Sequence, residues 1–546
     1  MLIDVLPIRY RLLDLFAGAG GMSNGFIQTG KFRVVVAVEK DIAAQNTYRK
    51  NHPDAVIKGD INQLDFDQLL GEFGEIDVII GGPPCQGFSN ANRQKSKIIS
   101  TNNQLVKKYV DAVMSVAPKV FVLENVKMFK SETHRFFITH SERNLINRYS
   151  IKVKEEYIKI GKSEALAEYM SLENLSIKDY SSLLFNDNAF AILNKLFKNC
   201  KYENRLVLCK NNVKTKKCIL ELLARFQKNV NGVENIIYES LLRVQDYVND
   251  VSSNIDTLRN NLYILIDMQK SILTLKELYQ NDVDFKISID RDNINIRIRS
   301  YSVLSYLVAI LGTKYHLAKG ILNAADFGVP QSRERYILIG KLKELDTTKD
   351  VALPKAIKTT SDYTTIRNAL EDLEKEPTSF ETSEDGIVRE HALVPRTKYQ
   401  RYVCNSNELY NNIITASTDV ALRRFATLDP GQNFHNLSEA LKRETYANLE
   451  HTQNTIYKRL DYDTVSGTVL NVRKSMWIHP VINRAVSIRE AARLQSFQDS
   501  FVFSGTKDSQ YQQVGNAVPP LLARAIAEKS LELLGDTPVQ FLVDIL

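Results

Sequence analysis

The stretch Ile76-Asp77-Val78-Ile79-Ile80-Gly81-Gly82-Pro83-Pro84-Cys85-Gln86-Gly87-Phe88-Ser89 decides how the rest of the chain is read. Apart from Asp77 its first five residues are apolar and β-branched, the pattern of a buried strand. Two prolines then stiffen a loop that Gly81, Gly82 and Gly87 keep slim. Cys85 falls just past the carboxyl end of the strand, where open α/β sheets bind ligands. A loop of this kind presents a nucleophile in a fixed pose. The competing reading is a plain turn with an incidental cysteine. Pro-Pro-Cys between a buried strand and a glycine turn is a costly way to make one.

Working outward, Arg11 to Phe16, Val34 to Glu39, Val56 to Asp60 and Val120 to Glu124 read as further strands. Helical periodicity begins near Gly21, at Asp41 to Asn51 and at Leu105 to Ala117. Near-continuous apolar strands alternating with helices imply an α/β fold with a doubly wound, mostly parallel sheet. The composition then changes: no proline occurs between Pro118 and Pro330. Residues 131–299 are rich in Lys, Asn, Leu and Ile, and spacing such as Ile219, Leu222, Leu223 and Phe226 predicts a mostly helical block. Phe285 to Ile289 and Ile294 to Ile298 alternate strictly and predict a hairpin turning at Asp290 to Asn293. Strand and helix character returns at Leu304 to Leu311 and at Ile337 to Gly340, whereas 342–479 is polar and irregular. Ser487 to Phe497 reads as a helix, and a last helix starts at Pro519 or Pro520.

A chain of 546 residues exceeds one compact core, so two to four domains are expected. The formal net charge of +7, from 71 Lys and Arg against 64 Asp and Glu, permits nucleic-acid binding without demanding it. Five cysteines, with no Cys-x-x-Cys pair, indicate neither a disulfide framework nor a zinc site. No apolar run reaches membrane length and no signal peptide opens the chain, so a reducing cytosolic setting is expected and no membrane partner.

Three groups of polar residues punctuate the strand ends. Asp14-Leu15-Phe16-Ala17-Gly18-Ala19-Gly20-Gly21 follows the first strand, and its glycines allow the backbone close to a ligand. Glu39 ends the second strand and suits two ribose hydroxyls, while Asp60 at the tip of the third suits an adenine amine. A nicotinamide dinucleotide fold would show a third glycine where Ser23 stands. The arrangement instead looks like an S-adenosylmethionine pocket. Glu124 ends the fifth strand, and burial would raise its pKa and favour a neutral proton donor. A strand-end carboxylate satisfied by a helix N-terminus is the plainer alternative, and Asn125 reads as a loop-shaping residue. In Gln331-Ser332-Arg333-Glu334-Arg335, alternation puts Arg333 and Arg335 on one face, able to reach a base or a phosphate or to form a salt-bridged strand edge.

These blocks, together with Leu322 to Pro330, Arg489 to Phe497 and Gln513 to Pro520, resemble the DNA cytosine-5 methyltransferases in content and order. The resemblance implies Cys85, Glu124, Arg333 and Arg335 as catalytic residues. It implies Asp14, Phe16, Gly18, Gly20, Gly21, Glu39, Asp60, Ile61, Pro83, Leu105 and Asn516 as the S-adenosylmethionine pocket, with no metal. The substrate implied is double-stranded DNA with its target cytosine flipped out. Cys85 adds to carbon 6, Glu124 protonates the ring nitrogen, and carbon 5 takes the methyl before a base removes its proton and the cysteine leaves. Arg489 to Phe497 is assigned a supporting role, and Asn516 brings the C-terminal end to the cofactor.

On this resemblance, residues 1–130, 300–341 and 480–546 form the catalytic domain, 342–479 a target-recognition domain and 131–299 an insertion. Arg423-Arg424-Phe425 and Gly431 to His435 are candidate base or phosphate contacts in the recognition region. A transfer-RNA methyltransferase would carry Cys-Phe-Thr, but Cys404 is followed by Asn405. A silent relative would lack Cys85, Glu124 or Arg335, and a non-enzymatic DNA binder would be indifferent to Cys85→Ala. The expectation is a bacterial, cytoplasmic enzyme paired with a separately acting restriction endonuclease.

Overall fold

The computed structural model describes residues 10–84, 101–130, 134–162, 181–226, 233–290, 293–345, 351–389, 394–444 and 452–546. They fall into two compact units. One is drawn from Met1–Cys85, Gln104–Ser131 and Ile310–Leu546, the other from Gln86–Asn103 and Glu132–Ala309.

The first unit opens with β1 (Tyr10–Leu15), β2 (Phe32–Val38), β3 (Val56–Lys58), β4 (Val78–Gly81) and β5 (Val120–Val126). The second unit holds β6 (Arg135–Phe137), β7 (Val153–Lys162), β8 (Phe285–Asp290) and β9 (Asn293–Ser302), and the chain then returns to the first through β10 (Tyr315–Asn323) and β11 (Glu334–Leu342). The central sheet has the order β10-β11-β5-β4-β1-β2-β3. Its five N-terminal strands run parallel. β10 and β11 are antiparallel, and Ile337 of β11 lies opposite Glu124 of β5. The strand order reverses between β1 and β4, which makes their carboxyl ends the natural place for a ligand crevice.

Two features give this unit its shape. Asp41, read as the start of a helix, caps the helix Ile42–Asn51 instead by accepting from the Ala44 N–H at 2.9 Å. The helix Gly21–Ile27 packs against Pro520–Leu533 so closely that a Cβ on Gly25 would lie 2.4 Å from the Pro520 carbonyl oxygen. The two ends of the chain therefore share one core, in which Phe26, Leu522 and Ile526 are all fully buried. Among the described residues of 342–479 the elements are all short, with a small separate cluster around Phe425, Phe434, Tyr457 and Ile478.

In the second unit the expected hairpin is present: β8 and β9 pair from Phe285 opposite Ile298 to Asp290 opposite Asn293. The described residues of 131–299 are mostly helical, as expected, but β6 and β7 were not anticipated and add to this pair to make a four-stranded sheet. β7 escaped notice because Glu155 and Glu156 interrupt its alternation, and much of it faces solvent. Helices at Asp187–Asn199, Glu203–Lys210, Val213–Phe226, Val233–Val248 and Ile255–Gln280 supply the rest, around a core of their own. Leu304 to Leu311 proves helical, within Val303–Lys314, and β10 follows it where no strand was anticipated. No helix among the described residues is long and apolar enough to cross a membrane.

Candidate active site

The carboxyl ends of β1, β2 and β3 bring the expected cofactor residues together. Phe16 adopts φ +59°, an uncommon backbone state for a large side chain, at the step from β1 into the glycine turn. Gly18 (φ +56°) faces open space, and its N–H donates to Glu39 Oε2 at 2.8 Å. Glu39 Oε1 accepts from the Asp41 N–H at 2.7 Å, so the carboxylate at the end of β2 is held by both oxygens. Gly20 (φ +89°) has no room for a side chain: a Cβ would lie 2.6 Å from His52 Nε2. Beyond β3, Gly59 also faces open space, and Asp60 accepts from the Asn62 N–H at 3.0 Å and from Lys40 Nζ at 2.9 Å. These bonds hold the Asp60 carboxyl below its ordinary range, the backbone bond most of all. Ile61 is buried at the start of the next turn. Open ground above two glycines, flanked by fixed carboxylates, fits the nucleoside of S-adenosylmethionine.

Asp14 lies beneath this ground. It is buried within β1 and accepts from Ser23 Oγ at 2.6 Å and from Tyr48 Oη at 3.2 Å. Burial outweighs these bonds and raises its pKa to about 7. Ser23, which stands where a dinucleotide fingerprint has glycine, is thus a member of a buried polar network, and the His52 ring packs against Tyr48 at 4.5 Å between centroids. Burial lowers the His52 pKa to about 4, so its ring is neutral. Sequence reasoning missed Tyr48 and His52, which carry no motif and reach the turn only through helix packing.

Two of the residues expected to be catalytic, Glu124 of β5 and Arg335 of β11, meet between neighbouring strands. Glu124 is buried, and Arg335 Nε lies 2.9 Å from its Oε1. Burial raises the Glu124 pKa, partly offset by the positive charges of Arg335 and Arg333. The same burial lowers that of Arg335, against the pull of Glu124. The loop after β4 passes beside this pair. A Cβ on Gly82 would stand 2.9 Å from Glu124 Oε2, and Asn125 Nδ2 donates to the Pro83 carbonyl at 2.8 Å. Asn125 therefore shapes the loop, as expected. Cys85 lies outside the described residues.

Arg333 requires a correction. It precedes β11, and although its charge still acts on Glu124 and Arg335, its hydrogen bonds go elsewhere. Its guanidinium donates to the carbonyls of Val469 at 2.7 Å and Gly515 at 2.8 Å, fully buried. β11 starts only at Glu334, so the strand alternation expected to align 333 with 335 does not extend to Arg333. Arg424, a candidate DNA contact, is likewise buried, donating to the Leu441 carbonyl and to Tyr457 Oη. Arg489 and Arg493 have the supporting role expected of them: Arg489 binds the carbonyls of Tyr410 and Gln498, and Arg493 pairs with Asp499 and Asp372.

The remaining positions are placed as follows. Leu105 is half-buried on the helix Thr101–Val116. Pro83 is buried in the loop after β4. Gly21 meets the C-terminal segment, where a Cβ would lie 2.5 Å from the Val518 carbonyl oxygen. Asn516, two residues before Val518, is exposed and accepts from Gln512 Nε2.

Comparison with known proteins bears on the family and the fold. Residues 10–154 and 303–532 match the model of the C-5 cytosine-specific DNA methylase family. The chain is 27% identical to the type II methyltransferase M.DdeI of Desulfomicrobium norvegicum, over 97% of this chain and 91% of that one. It is 26% identical to the type II methyltransferase M.AgeI of Thalassovita gelatinovora, over 95% and 98% respectively. Among solved structures, a prophage-encoded Escherichia coli protein described as a DNA modification methyltransferase superposes with a TM-score of 0.52 at 20% identity, covering 96% of this chain and all of that one, which shows the shared fold.

Proposed function

This chain belongs to the C-5 cytosine-specific DNA methylase family, and from that premise we propose that Cys85, Glu124 and Arg335 methylate a cytosine flipped out of duplex DNA. As a family member it is a DNA (cytosine-5)-methyltransferase that uses S-adenosylmethionine. The observation that supports the residue assignment is the buried Glu124–Arg335 pair beside the loop that leads to Cys85.

Carbon 5 is inaccessible in a stacked duplex, so the target base leaves the stack first. The Cys85 thiolate adds to carbon 6 while Glu124, neutral at that moment, gives its proton to the ring nitrogen. An electron pair then lies at carbon 5. S-adenosylmethionine, when bound, supplies the methyl group that carbon 5 receives. A base removes the carbon 5 proton, the sulfur–carbon bond breaks, and Glu124 recovers its proton from the ring. Arg335 fixes the direction of the Glu124 carboxyl throughout. Because burial raises the Glu124 pKa, the proton donor persists to higher pH than an ordinary carboxyl allows, and it is lost as pH rises through that value.

The cofactor lies, on this reading, above Gly18 and Gly20, with Glu39 and Asp60 as polar partners, Gly21 beneath and Phe16, Ile61, Pro83 and Leu105 as apolar walls. Asp14 sets the floor and Asn516 closes the C-terminal side. The relatives named type II methyltransferases extend the proposal to a bacterial cytoplasmic modification enzyme paired with a separate endonuclease. A host with no nuclease gene beside this one, and no cleavage of unmethylated DNA, would sink that pairing.

The main test is transfer of labelled methyl groups to unmethylated DNA, with modified positions mapped. The wild type should mark carbon 5 of cytosine in one short sequence, and Cys85→Ala should mark none. Glu124→Gln should lower kcat by about 10²–10⁴-fold. Wild-type chain that leaves DNA unmarked would refute the proposal and direct the assay to RNA.

A further inference from the structure

Residues 195–217 hold eight cations, Lys195, Lys198, Lys201, Arg205, Lys210, Lys214, Lys216 and Lys217, and one acid, Glu203. The rest of the chain holds 63 basic residues (71 less 8) and 63 acidic ones (64 less 1). The whole net charge of +7 therefore resides in these 23 residues. They lie in the second unit and outside the segments that match the family model.

The structure displays six of these eight cations, whereas Lys210 pairs with Asp250 and Lys217 with Glu221. Lys195, Lys198, Lys201, Arg205, Lys214 and Lys216 are exposed, and none has an acidic partner among the described residues. Lys195 and Lys198, three apart near the end of Asp187–Asn199, share a helix face. The Arg205 guanidinium lies over the Tyr202 ring at 5.1 Å. Lys214 and Lys216 stand in the first turn of Val213–Phe226, which has no acidic residue there. Positive charge at a helix N-terminus opposes the helix dipole, so local stability does not explain the placement. A polyanionic partner does.

We propose that this surface is a second DNA contact, which binds the phosphate backbone of duplex outside the target sequence and without sequence preference. The inference rests on the reading of the chain as a DNA methyltransferase. Duplex DNA carries one negative charge per about 1.7 Å of axis, and cations that meet it release counterions. A contact of this kind holds the enzyme on DNA between target sites.

The test uses the full-length chain, with Lys195, Lys198, Lys201, Lys214 and Lys216 all changed to Gln in one variant and to Arg in another. Binding to a random-sequence duplex is measured by fluorescence anisotropy across a salt series. Each neutralised phosphate contributes about 0.9 to the slope of log affinity against log salt, so the Gln variant should lose up to about 4.5 of that slope, if each of the five lysines meets one phosphate, and the Arg variant almost none. An unchanged slope in the Gln variant overturns the proposal, as does equal loss in both variants. Loss of binding to phosphatidylglycerol vesicles with DNA binding intact also overturns it, and assigns the surface to lipid. If the five-site Gln variant fails to unfold cooperatively, the same measurement on Lys195/Lys198/Lys201 and on Lys214/Lys216 separately decides. Methyl transfer by the wild type is scored apart from these outcomes: its absence would sink the enzymatic reading, whereas an unchanged slope sinks only the second contact.

Discussion

Arg333 and Arg335 are two positions apart, yet their surroundings set them different tasks. Arg335 faces one carboxylate, whereas Arg333 joins two main-chain carbonyls from distant segments. Truncating Arg333 would strand both carbonyls in a buried site, at a cost of about 3 kcal/mol or more. We therefore expect Arg333→Ala to lower the midpoint of thermal unfolding markedly, and Arg335→Ala to lower kcat with a much smaller effect on that midpoint. Equal unfolding midpoints for the two variants would refute the division. Asp14 gives a second test. Its folded pKa of about 7 lies above the ordinary 3.8, so the folded chain binds the extra proton between those values. Stability from this group is present at acid pH and falls as pH rises towards 7, by up to about 1.4 kcal/mol per pH unit. Denaturant titrations of Asp14→Asn should show a flatter dependence than wild type across that window, and an identical one would contradict the burial argument.

At the scale of elements, the contact of Gly21–Ile27 with Pro520–Leu533 holds the chain ends in one core. Gly25 permits it, since a Cβ there would lie 2.4 Å from one backbone atom and 2.6 Å from another. Backbone cannot yield as a side-chain tip can, so Gly25→Ala should destabilise by about 1–3 kcal/mol, read from chemical unfolding. A change below a few tenths would mean that the helices separate without cost. The helix Ile488–Leu494 was legible from its apolar spacing at Ile488, Ala491, Ala492 and Leu494, and the structure adds a capping box between Ser487 and Glu490. β7 was not legible, because its side chains are half solvated and its charges break the period of two.

At the scale of the molecule, each unit has its own apolar core, with no cluster member in common. The core of the second unit is drawn from residues 183–298, a continuous stretch. Expressed alone, residues 132–309 should therefore give a cooperative thermal transition by circular dichroism, and a broad, non-cooperative loss of signal would show that the core is insufficient without the first unit. No such autonomy is expected of the first unit's opening segment, because Leu522 and Ile526 complete a core begun by Phe26.

The sequence by itself determined the parallel sheet and the places of Glu39, Asp60 and Glu124 at its strand ends. These follow from local periodicity and from residue types with few alternative uses at strand ends. Tertiary structure alone decided which arginine meets Glu124, because Arg333 and Arg335 look alike until the Val469 and Gly515 carbonyls come within reach of one of them. It also decided that Asp14 is a buried floor with Ser23 and Tyr48, since their bonds join residues 9 and 34 positions away. Burial and long-range hydrogen bonding depend on what packs where, and no local pattern records that.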